Sequence, residues 1–116
     1  MVILIVDDEP SVRKMVESMI KNLYPDAVFL HALHGDQALG VINSPGQVFD
    51  LMISDTIMPV MGGVKLVEKV RAAFPNIRIV LISGSGEPEG HMADAFVDKP
   101  FKMANLLSIV RRVMES

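Results

Sequence analysis

Residues 2–20 read VILIVDDEPSVRKMVESMI, and the class of fold follows from how this stretch changes character along its length. Five apolar residues in an unbroken row, Val2 to Val6, suit a strand buried on both faces; a half-exposed strand would alternate. Asp7, Asp8 and Glu9 stop the row at once. Pro10 and Ser11 then open a helix, proline being tolerated there because the first turn has no use for its missing N–H. Val12, Met15, Val16, Met19, Ile20 and Leu23 follow at three-and-four spacing, one apolar face over three turns. A buried strand that hands over directly to an amphipathic helix is half of a parallel βαβ unit.

The alternation continues to the end of the chain. Apolar runs at 28–30, 51–53, 77–82 and 95–97 give four more buried strands. Between them, residues 35–43 present Ala38, Leu39 and Ile42 at helical spacing and are closed by Ser44-Pro45-Gly46. A third helix carries Val67, Val70, Ala73 and Phe74 and stops before Pro75-Asn76. A last helix over 103–114 sets Leu106, Val110 and Val113 on one face, with Arg111-Arg112 near its end, where cations suit the helix dipole. Strands and helices joined by short connections imply an α/β fold of the doubly wound class: a five-stranded parallel sheet with right-handed crossovers and helices on both faces. One crossover is abnormally short. About eleven residues separate Ser83 from Ala95, Gly84, Gly86, Pro88 and Gly90 among them, so a full helix does not fit and one or two turns over 89–94 are the most it can hold.

The chain has 116 residues, 50% apolar and 22% charged, with no Cys. A chain of this length buries roughly two thirds of the surface its unfolded form exposes, so residues 1–116 are expected to form one domain. Without Cys there is no disulfide framework, zinc–thiolate site, iron–sulfur cluster or thiol nucleophile. A formal charge of -3 leaves no basic footprint for nucleic acid or an anionic membrane, and the basic doublets Arg13-Lys14 and Arg111-Arg112 are short and lie in helical patterns. The first apolar row is too short for a signal-peptide core or a membrane span, so the expected address is the cytoplasm. Nine Met against five Phe and one Tyr suggest a soft aliphatic core.

In an open parallel sheet, ligands bind beyond the carboxyl ends of the strands. There the chain places Asp7-Asp8-Glu9 after the first strand, Asp55 after the third, Ser83 after the fourth and Lys99-Pro100 after the fifth. Converging carboxylates repel unless protonated or bridged, so a hard divalent cation with oxygen ligands, magnesium first, is the natural third party. Lys99 supplies a mobile charge for an anion, and a phosphoryl group fits best because magnesium shares its shell with phosphate oxygens. One carboxylate would be the nucleophile, with the metal and the lysine neutralising the equatorial oxygens. Taken singly, each residue has a plainer reading: helix-capping acids at 7–9, a turn from Asp55 through Pro59 to Gly62-Gly63, loop chemistry at Ser83, a solvated charge at Lys99. Four independent strand ends that carry what one phosphoryl site requires outweigh those readings. His31 and His34 are read as structural, since one ends a strand and the other precedes Gly35; His91 has no partner in the sequence; Met58 and Met61 are read as loop packing.

The segments Ile5-Val6-Asp7-Asp8-Glu9, Asp55-Thr56-Ile57-Met58-Pro59-Val60-Met61-Gly62-Gly63, Leu81-Ile82-Ser83-Gly84 and Phe96-Val97-Asp98-Lys99-Pro100-Phe101 resemble the receiver domains of two-component response regulators. Ala32-Leu33-His34-Gly35-Asp36-Gln37-Ala38-Leu39 matches the start of the family's second helix. The resemblance covers the whole chain and implies a flavodoxin-like strand order of 2-1-3-4-5. It implies that Asp55 accepts a phosphoryl group from a sensor histidine kinase or a histidine phosphotransfer protein. The receiver itself would catalyse that reaction, and the domain would be a signalling switch rather than an enzyme. Asp8 and Asp55 would ligate Mg2+, or Mn2+ in its place, directly; Asp7 would act mainly through water, and the main-chain carbonyl of Ile57 would add an oxygen. Ser83 would swing to one phosphoryl oxygen, Lys99 would pair with another, and Phe96 would move inward as the readout. The Lys99-Pro100 bond would be cis. An unidentified downstream protein would read the switch, with no nucleic acid or membrane bound through this domain and a homodimer allowed.

The chain departs from the family at the short crossover, where receivers carry a full fourth helix; the face built on that helix is where many members dimerise or touch their outputs. The fourth helix is thus shortened or missing, and segment 84–91 is expected to be the least protected backbone in hydrogen exchange. Ile57 and Ser85 stand where the family tunes attack of water on the acyl phosphate. An apolar Ile57 cannot orient water, which implies a long-lived phosphoryl state. Other readings are weaker. A haloacid-dehalogenase-like phosphatase needs a second Asp where Ile57 stands, and a flavodoxin-like small-ligand module needs a Ser-, Thr- or Gly-rich loop where Asp7-Asp8-Glu9 would repel phosphate. A pseudo-receiver that serves only as an interaction module is the remaining alternative, and the intact acidic set argues against it. With strands and helices filling the chain, a switch without an effector is expected.

Overall fold

The computed structural model describes residues 1–116. Its elements run β1 (Val2–Val6), α1 (Pro10–Ile20), β2 (Val28–Ala32), α2 (Gly35–Ile42), β3 (Leu51–Asp55), α3 (Gly63–Ala73), β4 (Arg78–Ser83), β5 (Ala95–Asp98) and α4 (Met103–Glu115). The strands form one sheet of order β2-β1-β3-β4-β5, with every neighbouring pair parallel.

Successive residues of a strand face opposite sides of the sheet. Leu4, Val6, Met52, Ile79 and Leu81 face one side and meet Ala38 and Ile42 of α2 and Leu66, Val67 and Val70 of α3. Ile3, Ile5, Leu51, Ile53, Val80, Ile82 and Val97 face the other and meet Val16 and Ile20 of α1 and Leu106, Val110 and Val113 of α4. Helices cover both faces, which is why the strands read as unbroken apolar rows.

The element ends differ from the periodicity in instructive ways. α1 stops at Ile20 although its apolar spacing runs on to Leu23. The Asn22 side-chain amide donates to the carbonyls of Ser18 and Met19, and the N–H groups of Leu23 and Tyr24 both close on Ile20, so the chain turns while Leu23 still packs on that face. β4 begins at Arg78 instead of Ile77, β2 continues to Ala32, and β3 continues to Asp55. Asp55 and Ser83 are therefore the last residues of strands, positioned by the sheet itself.

Residues 84–94 form no helix and hold only a turn at Glu89-Gly90. Arg71 of α3 holds the end of this crossover instead. Its Nε and Nη2 donate to the Met92 carbonyl at 3.2 and 3.1 Å, Nη2 donates to the Asp94 carboxylate at 2.8 Å, and Nη1 donates to the Ile77 carbonyl at 3.1 Å. Asp94 in turn exchanges bonds with Ile79, accepting its N–H at Oδ2 and donating its own N–H to the Ile79 carbonyl, both at 2.8 Å. The crossover is thus tied to β4 before β5 begins. No helix is long and apolar enough to cross a membrane.

Candidate functional site

β1 and β3 lie side by side at the point where the strand order reverses, the position at which doubly wound sheets bind their ligands. Asp7 and Asp8 leave the end of β1 and Asp55 closes β3; their carboxylates all lie within 4.8 Å of one another. Lys99 reaches in from the end of β5, its Nζ 3.3 Å from Asp55 Oδ1 and 3.6 Å from Asp7 Oδ2. Its N–H donates to the Ser83 carbonyl at 2.8 Å, and the Lys99-Pro100 bond is cis, as the resemblance implied.

The three carboxylates are not equivalent. Asp7 is 4% exposed, and its Oδ1 accepts the Glu9 N–H at 2.9 Å. Burial is the main cause that raises its pKa above the usual aspartate range; the Glu9 N–H and Lys99 work against this, while Asp55 and Asp8 add to it. Burial works against the charge on Lys99, but Asp55 and then Asp7 outweigh it, and the net result raises the lysine pKa. Asp55 Oδ1 accepts the Thr56 N–H at 2.9 Å, and Thr56 is pinned to β4 by its N–H and Oγ1, both 2.9 Å from the Ile82 carbonyl. The chain's own bonds thus go to Asp7, Asp55 and Lys99, and the exposed Asp8 carboxylate is left to the solvent.

Glycines bring α3 up behind this site. A Cβ on Gly63 would lie 2.2 Å from the Asp55 carbonyl oxygen and 3.0 Å from Thr56 Cα, and the Gly63 N–H donates to the Thr56 carbonyl at 2.8 Å. A Cβ on Gly35 would likewise meet the Met61 side chain at 2.7 Å. The loop that follows Asp55 is therefore clasped between two helix starts that only glycine permits.

The sequence profile described as the response regulator receiver domain matches residues 3–111. The chain belongs to the response regulator receiver family. It is 31% identical over 97% of its length to a segment of the sensor kinase CckA of Brucella abortus, and 27% identical over 94% to part of the response regulator RppA of Synechocystis. The chain spans 12% of the length of that kinase and 48% of that regulator. Among solved structures, the response regulator TrrA of Thermotoga maritima, in complex with Mg(2+)-BeF, superposes with a TM-score of 0.84 at 25% identity, covering 97% of each chain.

In this receiver domain the residues singled out from the sequence are distributed as follows. Asp7, Asp8, Asp55 and Lys99 meet in one cluster. Ser83 ends β4 only 1% exposed, and its Oγ accepts the Ser85 N–H at 3.2 Å and lies 3.3 Å from Ser85 Oγ, so the hydroxyl is turned towards the crossover. The Ile57 side chain is 69% exposed beside the cluster. Phe96 is half-buried against the α2–α3 face, its ring 6.4 Å from that of His91. His91, without a partner in the sequence reading, has one in space: Nε2 lies 2.7 Å from Glu87 Oε2, and Nδ1 accepts the Ala93 N–H at 3.2 Å. His34 caps α2 by accepting the Gln37 N–H, and His31 pairs with Glu17. Sequence reasoning missed the role of Arg13, read only as half of a basic doublet: its Nη1 donates to the Asp7 carbonyl at 2.6 Å.

Proposed function

We propose that this receiver takes a phosphoryl group onto an Asp55 carboxylate oxygen from a phosphohistidine of a sensor kinase or phosphotransfer protein, and that the modified domain signals by a change of conformation. The carrying observation is the convergence of three carboxylates within 4.8 Å, with Lys99 3.3 Å from Asp55. One lysine cannot balance three carboxylates, one of them buried, and the donors are all hard oxygens, which suits Mg2+ and admits Mn2+. Asp8 and Asp55 would hold the ion directly, Asp7 through water, with the Ile57 main-chain carbonyl as a further ligand. When bound, Mg2+ neutralises charge on the phosphoryl oxygens.

The chain's own residues do the rest. The Asp55 oxygen forms the new P–O bond as the P–N bond of the donor breaks, and the electron pair of that bond leaves with the imidazole, which takes up a proton. Thr56, fixed to β4, keeps the Asp55 carboxylate from rotating. Lys99 already sits against Asp55 and keeps its charge on a phosphoryl oxygen after transfer. Ser83 turns from Ser85 to a second phosphoryl oxygen, and Phe96 moves inward with it. The exposed, apolar Ile57 offers no group to orient an attacking water, so the acyl phosphate is long-lived; a lifetime of seconds in a hydrolysis time course would contradict this. Such a domain is a switch that promotes its own modification, works in the cytoplasm and contacts proteins in preference to nucleic acid. A module used only for docking has no need of a carboxyl group buried at Asp7. The TrrA complex with Mg(2+)-BeF lends support from a relative.

The test is intact mass after incubation with Mg2+ and acetyl phosphate. One phosphoryl mass is expected on the wild type and none on Asp55→Asn or after chelation. An unmodified wild type under every donor would overturn the reading.

A further inference from the structure

Asp8 is the one carboxylate of the cluster whose side chain the fold does not hold, so its direction depends on the backbone that carries it. That backbone is fixed at three points: the Asp7 N–H donates to the Ala32 carbonyl at 3.1 Å, the Glu9 N–H donates to Asp7 Oδ1 at 2.9 Å, and the Asp7 carbonyl accepts Arg13 Nη1 at 2.6 Å. The third bond sets the plane of the Asp7-Asp8 peptide, and with it the direction in which Asp8 leaves the chain.

Arg13 is itself held by a line of partners. Its Nε donates to His31 Nδ1 at 3.2 Å, His31 Nε2 lies 2.6 Å from Glu17 Oε1, and Glu17 Oε2 lies 3.2 Å from Lys21 Nζ. A guanidinium can only donate, so His31 accepts at Nδ1 and carries its proton on Nε2, pointed at Glu17. Arg13 and Glu17 lie four residues apart on one side of α1, Lys21 follows four residues on as its C-cap, and His31 comes from β2, the strand next to β1. The planar fork of arginine serves the carbonyl and the imidazole at once from two nitrogens in a fixed plane, whereas lysine has a single nitrogen on a flexible stem.

We propose that Arg13 is a positioning residue for the acidic site, aiming Asp8 at the cation, and that His31 and Glu17 fix Arg13 for this task; the proposal rests on the metal reading above. Groups that orient ligands from behind a metal site change metal affinity by about tenfold to a hundredfold. The sign separates positioning from simple charge. If Arg13 acted only as a nearby cation, removing it would tighten Mg2+ binding by relieving repulsion. As a positioning residue, its removal weakens binding.

The experiment is a Mg2+ titration of the full chain followed by the amide resonances of Asp8, Asp55 and Thr56. Arg13→Gln is expected to weaken binding about tenfold to a hundredfold, and Arg13→Lys to weaken it although the charge is kept. His31→Leu should weaken it in the same direction, and His31→Gln should restore it, because the Gln carbonyl accepts from Arg13 while its amide donates to Glu17. Lys14→Gln, which removes the same charge from the exposed neighbour, should bind as well as the wild type or better. Should Arg13→Gln not fold, the two His31 variants decide. Equal or tighter binding by Arg13→Gln, or no difference between His31→Gln and His31→Leu, overturns the proposal alone. A wild type whose Asp8 and Asp55 amides ignore Mg2+ overturns the metal reading, and the proposal with it.

Discussion

Gly63→Ala adds one methyl group behind the phosphoacceptor, and the structure makes its effect calculable. The new Cβ would sit 2.2 Å from the Asp55 carbonyl oxygen, so the start of α3 and the end of β3 must part by about 0.8 Å to reach even the 3.0 Å that real Cβ contacts tolerate. The obstacle is backbone, which has no rotamer to escape into, so the strain falls on the sheet and the cost lies at or above the top of the 1–3 kcal/mol typical of overpacking. At about 4 °C per kcal/mol for a domain of this size, thermal unfolding in EDTA should fall by at least about 10 °C. Gly40→Ala is the matched control. Gly40 lies in α2, and a Cβ there meets nothing within 4 Å, so the variant should gain about 0.5–1 kcal/mol from reduced unfolded-state freedom and better helix propensity. Gly63→Ala should also slow phosphorylation, because a displacement near 1 Å at a reacting group costs on the order of a hundredfold. Circular dichroism melts and the acetyl phosphate time course read both effects. A Gly63→Ala protein as stable and as reactive as the wild type would refute the claim that this glycine sets the position of Asp55.

Three further outcomes follow from the charges and the crossover. The His31 hydrogen bond, chiefly, and Lys21 hold the Glu17 carboxyl below its usual range, with burial opposing them; a depressed folded-state pKa stabilises above the unfolded-state value and loses that contribution as pH falls through the folded one. Glu17→Gln should therefore flatten the loss of stability between about pH 5 and pH 3 in urea titrations, and an unchanged slope would count against the pair. Asp7 has the opposite sign: burial raises its folded-state pKa, so the ionised group costs the metal-free domain stability at neutral pH. Asp7→Asn should melt higher than the wild type in EDTA and lose much of the Mg2+-induced rise, which for the wild type at a hundredfold excess over Kd is about 2.7 kcal/mol; a lower melt in EDTA contradicts this. In hydrogen exchange, amides 84–91 should be the fastest outside the termini and those of β1 among the slowest, while Arg71→Ala should extend the fast segment through 92–94. Slow exchange at 84–91 in the wild type would mean that the crossover is held by more than its ends.

The fold was legible because it rests on signals that a chain carries locally. The apolar row of β1 calls for cover on both faces and the three-and-four spacing of α1 for one apolar surface to lie on, and neither demand depends on which distant residue meets it. The short crossover was equally plain from the count of residues between Ser83 and Ala95. The manner of its closure was not, because Arg71 makes its bonds mainly to carbonyls, those of Met92 and Ile77, and a carbonyl has no side chain to announce it.

The candidate site divides along the same line. Asp7, Asp8, Asp55 and Lys99 could be read because they stand at the same ends of different parallel strands, and their coincidence there outweighs the plainer reading that each has singly. Ser83 was read correctly as a strand-end hydroxyl, but its present orientation towards Ser85 depends on a loop conformation that no spacing encodes. Gly63 looked like turn chemistry, since the sequence cannot say that a helix start lies against the carbonyl of Asp55. Arg13 reads only as half of a basic doublet, for two reasons that reinforce each other. Its ligand on the site is the main-chain oxygen of Asp7, and its support, His31, stands on another strand, where a histidine ending an apolar run reads as filler. What sequence leaves out, then, is the set of groups that aim the reactive side chains, because aiming is done through backbone atoms and across elements. A structure adds most where a reactive residue, like Asp8, has no side-chain partner of its own and must be pointed by its neighbours.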